Sequence, residues 1–141
     1  MLGLGATVIT NRREIAADDF FAGMYTTALD EGEIITAVRF PIPKRAAYMK
    51  FKQPASRFSL VGVFVAQFDA GVRVAVTGAS SCVFRHAGLE AALSGSFTPQ
   101  AAAAVAIDAS ELNADLHASA AYRANLISVQ TQRAVAKMTG A

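Results

Sequence analysis

Cysteine is nearly absent, Cys82 being the one thiol in the chain. A single thiol cannot close an internal disulfide and cannot by itself build a zinc or iron–sulfur site. It fits a reducing compartment. Its neighbours Val83 and Phe84 predict a buried strand, where the thiol packs as a small hydrophobe. Long apolar runs are absent too: the longest, Leu60 to Ala66, has seven residues, far short of a membrane span, and reads as a buried strand. Met1-Leu2-Gly3-Leu4-Gly5 is too short for a signal peptide and has no basic start, so the expected location is the cytoplasm. An excess of one charge is also missing. A net charge of +2 gives no whole-molecule field for nucleic acid.

Motifs that carry chemistry are equally scarce. There is no Gly-x-Gly-x-x-Gly and no P-loop, and Gly3-Leu4-Gly5 has neither a strand before it nor a third glycine. No Gly-x-Ser-x-Gly elbow is present to raise a nucleophilic serine. His86 falls at a strand-to-helix junction and His117 in a polar connector, with no cysteine or carboxylate cluster to join them. No metal site and no catalytic acid, base or nucleophile is expected, and both histidines read as surface residues. Asp30, Glu31 and Glu33 read as an acidic turn rather than as paired catalytic carboxylates.

What the chain does have is apolar bulk. Its 141 residues can bury a sizeable core without staples. A hydrophobic content of 53% against 17% charged excludes a disordered segment and points to a globular piece with apolar surface to spare. Charge is unevenly spread: Arg39, Lys44, Arg45, Lys50, Lys52 and Arg57 follow one another with no acid between them. Two readings stay open for this run, a solvated strand face with its loop, or a site for an anion or an electron-rich ring.

Along the chain, Ala6 to Thr10 is a short strand and Asn11-Arg12-Arg13 a turn. Asp18 or Asp19 is expected to cap a helical turn carrying Phe20 and Phe21. Asp30-Glu31-Gly32 turns the chain into a strand over Ile34 to Phe40, which Pro41-Ile42-Pro43 stops. Ala47 to Lys52 alternates, with Tyr48, Lys50 and Lys52 against Met49 and Phe51. Leu60 to Phe68 and Val72 to Thr77 form a hairpin across Asp69-Ala70-Gly71, and Cys82 to Phe84 continues the sheet. Three helices follow. One runs over Ala87 to Leu93 and stops at Ser94-Gly95, and one opens at Thr98-Pro99. The last spans Ser119 to Met138, with Tyr122, Leu126 and Val129 on its apolar face and Arg123, Gln130 and Arg133 wet.

The fold class is therefore α+β: a small antiparallel sheet of three to four strands with about three helices packed on one face. The prolines and basic pair at 41–45 divide the chain into an end-piece over 1–43 and a domain over 44–141. One constellation has chemical sense. Tyr25, Ile35 and Lys50 lie on neighbouring segments flanking a predicted sheet edge. An aromatic ring and a β-branched side chain can press on a flat conjugated ring, and a lysine ammonium can stabilise negative charge at the N1–C2=O end of a flavin. By spacing alone Tyr25 and Ile35 are more often core positions, and Lys50 is more often solvated.

The stretch Arg13-Glu14-Ile15, Asp19-Phe20-Phe21, Gly23, Thr27, Leu29, Gly32-Glu33-Ile34-Ile35, Val38 and Phe40-Pro41 resembles the closing part of the flavin domain in medium subunits of molybdenum hydroxylases. Tyr48-Met49-Lys50-Phe51 and Pro54-Ala55-Ser56 with Leu60-Val61-Gly62-Val63 resemble the first strand and loop of that family's C-terminal domain. Asp115 to Ala120 with Tyr122-Arg123 and Arg133-Ala134 resembles its last helix. The carbon monoxide dehydrogenase branch of the carbon monoxide / xanthine dehydrogenase family fits best.

The resemblance implies FAD as cofactor, shared with an N-terminal half whose two glycine-rich loops cradle the pyrophosphate. It implies a molybdopterin-binding large subunit and an iron–sulfur small subunit as partners, and electron transfer as the chemistry. It sets Ile35 against one face of the isoalloxazine, Lys50 near the pyrimidine end with Lys52 as a rival, and Tyr25 near the ring. Arg57 departs from the small or acidic residue expected after Ala55-Ser56. A second reading is a docking domain that binds no flavin by itself.

Overall fold

A computed structural model describes residues 1–140. A single 3-10 turn, Leu2–Leu4, opens the chain and ends at Gly5, whose φ of 62° is left-handed. Strands β1 (Thr7–Thr10) and β2 (Glu14–Ala16) form a hairpin, followed by a one-turn helix α1 (Ala17–Phe20). Strands β3 (Phe21–Gly23) and β4 (Thr26–Thr27) pair as a second small hairpin, and β5 (Ile35–Arg39) returns to lie beside β1 in the order β2-β1-β5. The core of this part is small: Val8, Ile15 and Phe20 are buried, with Phe21, Ala28 and Leu29 against them.

The larger body is a four-stranded antiparallel sheet in the order β6-β7-β8-β9, built from β6 (Arg45–Lys52), β7 (Ser59–Phe68), β8 (Gly71–Thr77) and β9 (Phe84–Arg85). Helices α2 (Ala87–Gly95), α3 (Pro99–Ala103) and α4 (Ala120–Thr139) pack on one face of it. Period-2 alternation decides which face. Ala47, Val61, Val63, Val65, Val72, Val74 and Val76 point at Leu89, Leu93, Ile127 and Val135 and form the main core. The opposite face carries Tyr48, Phe64, Ala75 and Thr77, partly covered by the opening 3-10 turn. Gly3 lies so close to Phe64 that a Cβ there would sit 2.4 Å from the ring, so the turn can rest on the sheet only without a side chain.

The helix starts follow local capping chemistry. His86 Nδ1 accepts from the Leu89 N–H at the head of α2, Thr98 Oγ1 from Ala101 at α3 with Pro99 in the first turn, and Ser119 Oγ from Tyr122 at α4. Gly140 closes α4 with a left-handed φ of 73°.

The α+β class and the three helices on one face are as expected. Several local expectations are corrected. The N-cap of α1 is Ala16, with no side-chain cap. Asp18 instead pairs with Arg73 at 2.8 Å and Arg85 at 3.2 Å, because those guanidiniums offer it more than one backbone amide does. Phe21 belongs to β3, and Cys82 lies in a partly exposed bend rather than a strand, its thiol 3.7 Å from the Phe21 carbonyl. Arg123 and Gln130, expected to stay wet, are 3% and 1% exposed. Tyr122, expected on the apolar face, is half exposed, its ring edge-on to Phe51 with centroids 6.1 Å apart. Contacts from the sheet and from the 108–119 connector, invisible to helical periodicity, re-aim that face of α4.

Candidate functional site

The acidic turn before β5 is more than a turn. The Glu33 side chain is fully buried. Its Oε1 accepts from Thr10 Oγ1 (2.7 Å) and Arg13 Nε (3.0 Å), and its Oε2 from Arg13 Nη2 (3.0 Å) and the Asp30 N–H (2.9 Å). Arg13, then the Asp30 amide and Thr10, hold this carboxyl down at about 2. Asn11 clamps the next residue, its Oδ1 accepting from the Ile34 N–H and its own N–H donating to the Ile34 carbonyl, both at 3.0 Å. Ile35 is thereby fixed at the start of β5, opposite Thr10 and beside a register shift, and is 41% exposed.

Tyr25 sits at the tip of the β3–β4 hairpin with φ of 56° and its side chain wholly in solvent. Left-handed backbone is costly for a residue with a Cβ. Lys50 lies opposite Gly62 on the outward face of the main sheet. Its ammonium is exposed and makes a 3.4 Å hydrogen bond to the Arg57 carbonyl. Lys52, opposite Ser59, is exposed as well. Tyr25, Ile35 and Lys50 thus stand on three different sheets, all facing solvent, and no hydrogen bond joins them among the described residues.

The basic run divides. Arg39 forks Glu14, Lys44 pairs with Asp69, and Arg45 binds Gln67 and the Met138 carbonyl while covering the Phe97 ring at 4.3 Å. Lys50, Lys52 and Arg57 make no ion pair among the described residues. Arg57 has φ of 61°, which explains why a small residue would sit more easily there.

Sequence reasoning passed over Tyr48. It shares the outward face of β6 with Lys50, is 45% exposed, and lines an open apolar cleft of about 410 Å³ with Leu2, Gly3, Phe21, Phe64 and Val83. The signal was available in the alternation that put Tyr48 and Lys50 on one side. A second cleft of about 600 Å³ runs between α2 and the β7–β8 turn, edged by Arg73 and Arg85. Both guanidiniums are engaged, Arg73 with Asp18 and Arg85 with Asp18 and Glu90. Among the described residues no three His, Cys, Asp or Glu side chains gather as a metal site, and no helix is long and apolar enough to cross a membrane.

Residues 1–43 match the family described as the FAD binding domain in molybdopterin dehydrogenase, whose cofactor is FAD. The chain is a relative of the FAD-binding medium subunits of molybdenum hydroxylases. It is 36% identical over 137 residues to the nicotine 6-hydroxylase medium subunit of Paenarthrobacter nicotinovorans, covering 90% of this chain and 48% of that one. It is 32% identical over 136 residues to the carbon monoxide dehydrogenase medium chain of Hydrogenophaga pseudoflava, covering 88% and 47%. The fold matches quinoline 2-oxidoreductase from Pseudomonas putida 86 with a TM-score of 0.82 at 24% identity, over 99% of this chain and 54% of that one. The chain thus spans about half the length of the curated relatives it matches.

Proposed function

We propose that the chain is the C-terminal half of the FAD-carrying medium subunit of a cytoplasmic molybdenum hydroxylase of the carbon monoxide dehydrogenase type. In that role it relays electrons from a molybdopterin-binding large subunit, by way of an iron–sulfur small subunit, to a final acceptor. The observation that carries this reading is the coincidence of two matches: the FAD-domain family over residues 1–43, and two medium subunits over almost the whole chain.

Residue types suited to the ring end of a flavin are present. Ile35 and Tyr25 offer exposed apolar and aromatic surface, and Lys50 offers an exposed ammonium with no ion pair among the described residues. Tyr48, on the same strand face as Lys50, adds an aromatic wall to an open cleft. FAD supplies the redox chemistry when bound; the chain supplies position and field. In this reading Ile35 and Tyr25 press on the ring and exclude water, and Lys50 (or Lys52) favours negative charge at its pyrimidine edge. The pyrophosphate needs donors that the sequence does not offer, since it has no glycine-rich phosphate loop. An N-terminal half-site would supply them. Without it the chain forgoes charge-assisted hydrogen bonds worth roughly 1.5–3 kcal/mol each, so affinity for FAD alone is weak.

A visible absorbance spectrum of the purified chain, with FAD and with or without an N-terminal half of the domain, tests the reading. A flavin band that appears only with the second half supports it. No band under either condition overturns the cofactor assignment and favours the second reading, a subunit-docking domain that binds no flavin, for which the many exposed apolar side chains speak.

A further inference from the structure

We propose that Asp18, Arg73 and Arg85 form a latch that fixes the end-piece, residues 1–43, on the outward face of the four-stranded sheet. They are thereby positioning residues for a ring site whose walls stand on both sides of that seam. That the site takes a flavin rests on the preceding section; the latch itself does not.

Open space follows the seam. A cleft of about 600 Å³ lies between Leu4, Gly5 and Pro41 on one side and α2 with the β7–β8 turn on the other. One of about 410 Å³ lies between Leu2 and Phe21 and the sheet residues Tyr48 and Phe64, and one of about 390 Å³ between Ala17 and Phe21 and the pair Val83 and Phe84. A junction this open resembles a contact between domains, for which relative motion is the default. The opening turn supplies apolar contact, with Leu2 buried and Gly3 against Phe64. Polar ties come from two residues. Among the described residues, the side-chain hydrogen bonds that cross from 44–141 to 1–43 are donated by Arg73 and Arg85, apart from the weak one from the Cys82 thiol.

The latch is well anchored on both sides. Arg73 Nη2 donates to Asp18 Oδ1 at 2.8 Å, to Asp18 Oδ2 at 2.9 Å and to the Leu2 carbonyl at 2.9 Å. Arg85 Nη1 donates to Asp18 Oδ1 at 3.2 Å. Arg85 also forks Glu90, at 2.8 and 2.6 Å, and Glu90 accepts from the Val74 N–H at 2.9 Å. The backbone of Gly5 lies against the Arg73 guanidinium, where a Cβ would sit 3.2 Å from Cζ. Arg73 and Glu90 are largely shielded from solvent, so salt screens these pairs less than it screens open surface pairs.

Each end of the latch is tied to a wall of the ring site. Arg73 stands opposite Ala66, and Lys50 opposite Gly62, positions on the same side of β7. Arg85 stands opposite Ala75 on that side too. The hydrogen-bonded ladder therefore moves the two guanidiniums and Lys50 as one face. Across the seam, Asp18 lies on α1, whose Phe20 packs on Val8 and Ile15. Val8 belongs to β1, the partner of the β5 strand that carries Ile35. Strand β3 follows α1 directly and leads to Tyr25. Releasing Asp18 lets Tyr25 and Ile35 drift relative to Lys50 while each half keeps its own fold.

The seam and the ring site are read separately. In the full chain, spin labels at Glu31→Cys and Lys137→Cys, both exposed positions, in a Cys82→Ser background give the distance between the halves by pulsed electron resonance. Asp18→Ala should broaden or shift that distribution. Glu14→Ala, which removes an ion pair with Arg39 inside the end-piece, should leave it unchanged. Asp18→Asn takes the place of Asp18→Ala if thermal melting shows the latter unfolded. With FAD and the N-terminal half added, Asp18→Ala should weaken FAD binding at least about fivefold, the lower end of usual coupling between sites. Whichever of Lys50→Met and Lys52→Met weakens FAD binding in the native background should lose its effect beside Asp18→Ala. An unchanged distance or unchanged FAD affinity in Asp18→Ala, an equal change in Glu14→Ala, or a lysine effect of the same size in both backgrounds overturns the proposal. A distance that changes in Asp18→Ala alone, in a chain that takes up no FAD in any variant, supports the latch and overturns the flavin reading.

Discussion

The guanidinium of Arg13 forks the buried carboxylate of Glu33 through two 3.0 Å hydrogen bonds, and so ties the end of the β1–β2 turn to the residue that leads into β5. The pair fixes the backbone on which Ile34 and Ile35 are displayed. It also links the shape of this surface to pH. The Glu33 carboxyl titrates at about 2 in the fold against an ordinary 4.5. A depressed folded value means that its stabilisation is fully present above 4.5 and is lost as pH falls from there towards 2. Chemical denaturation midpoints across that window should fall in the native chain. The profile of Glu33→Gln should be flatter, and the two should converge at the acid end.

Arg123 is the corresponding tie in the larger body. Its Nη1 donates to the Leu60 and Gly78 carbonyls at 2.8 and 2.9 Å, and its Nη2 to Asp115 at 2.7 Å. Arg123→Met strips partners from two strand-end carbonyls and should cost about 2–4 kcal/mol in equilibrium unfolding. Asp115→Asn should cost less, because that carboxylate is half exposed.

Gln130 is buried, and among the described residues neither its amide nitrogen nor its oxygen has a hydrogen-bond partner. Gln130→Leu keeps most of the volume and removes an unsatisfied polar group, so it should stabilise by about 1–2 kcal/mol in the same assay. A loss of stability would mean that the amide has a partner after all.

Gly78 bends the chain out of β8 with φ of 79°, and a Cβ there would meet the Ser59 carbonyl at 2.3 Å. Gly78→Ala combines left-handed strain with a backbone clash and should cost about 3 kcal/mol. Gly95→Ala, where a Cβ meets nothing within 4 Å, is the control and should be close to neutral.

In the assembled flavin site, Lys50→Met should weaken FAD binding about tenfold, the worth of one charge-assisted hydrogen bond, by equilibrium titration. Lys52→Met should leave it unchanged if Lys50 is the ring's partner, and the reverse result would exchange their roles.

Much of the fold was legible because it rests on local rules. The valine-rich alternation of Leu60 to Phe68 and Val72 to Thr77, the turn at Asp69-Ala70-Gly71, and the caps Thr98 and Ser119 each act within a few residues. The short strands β2, β3 and β4 were not foreseen. They have two or three residues each, too few to show a period, and exist because a neighbour offers its backbone. At the candidate site, the identities of Tyr25, Ile35 and Lys50 came from residue type and resemblance. The partnership of Tyr48 with the apolar cleft depends on where the opening turn settles.

The sequence alone determined the α+β class, the order of strands before helices, and the absence of a phosphate loop, since these follow from periodicity, turn chemistry and residue identity. Only the tertiary structure decided that Glu33, Arg123 and Gln130 are buried, that Asp18 serves Arg73 and Arg85 rather than a helix end, and that Lys50, Lys52 and Arg57 make no ion pair among the described residues. Burial and ion pairing depend on which distant segments meet. A charged side chain carries no mark of its future partner until the fold brings the two within a few ångströms.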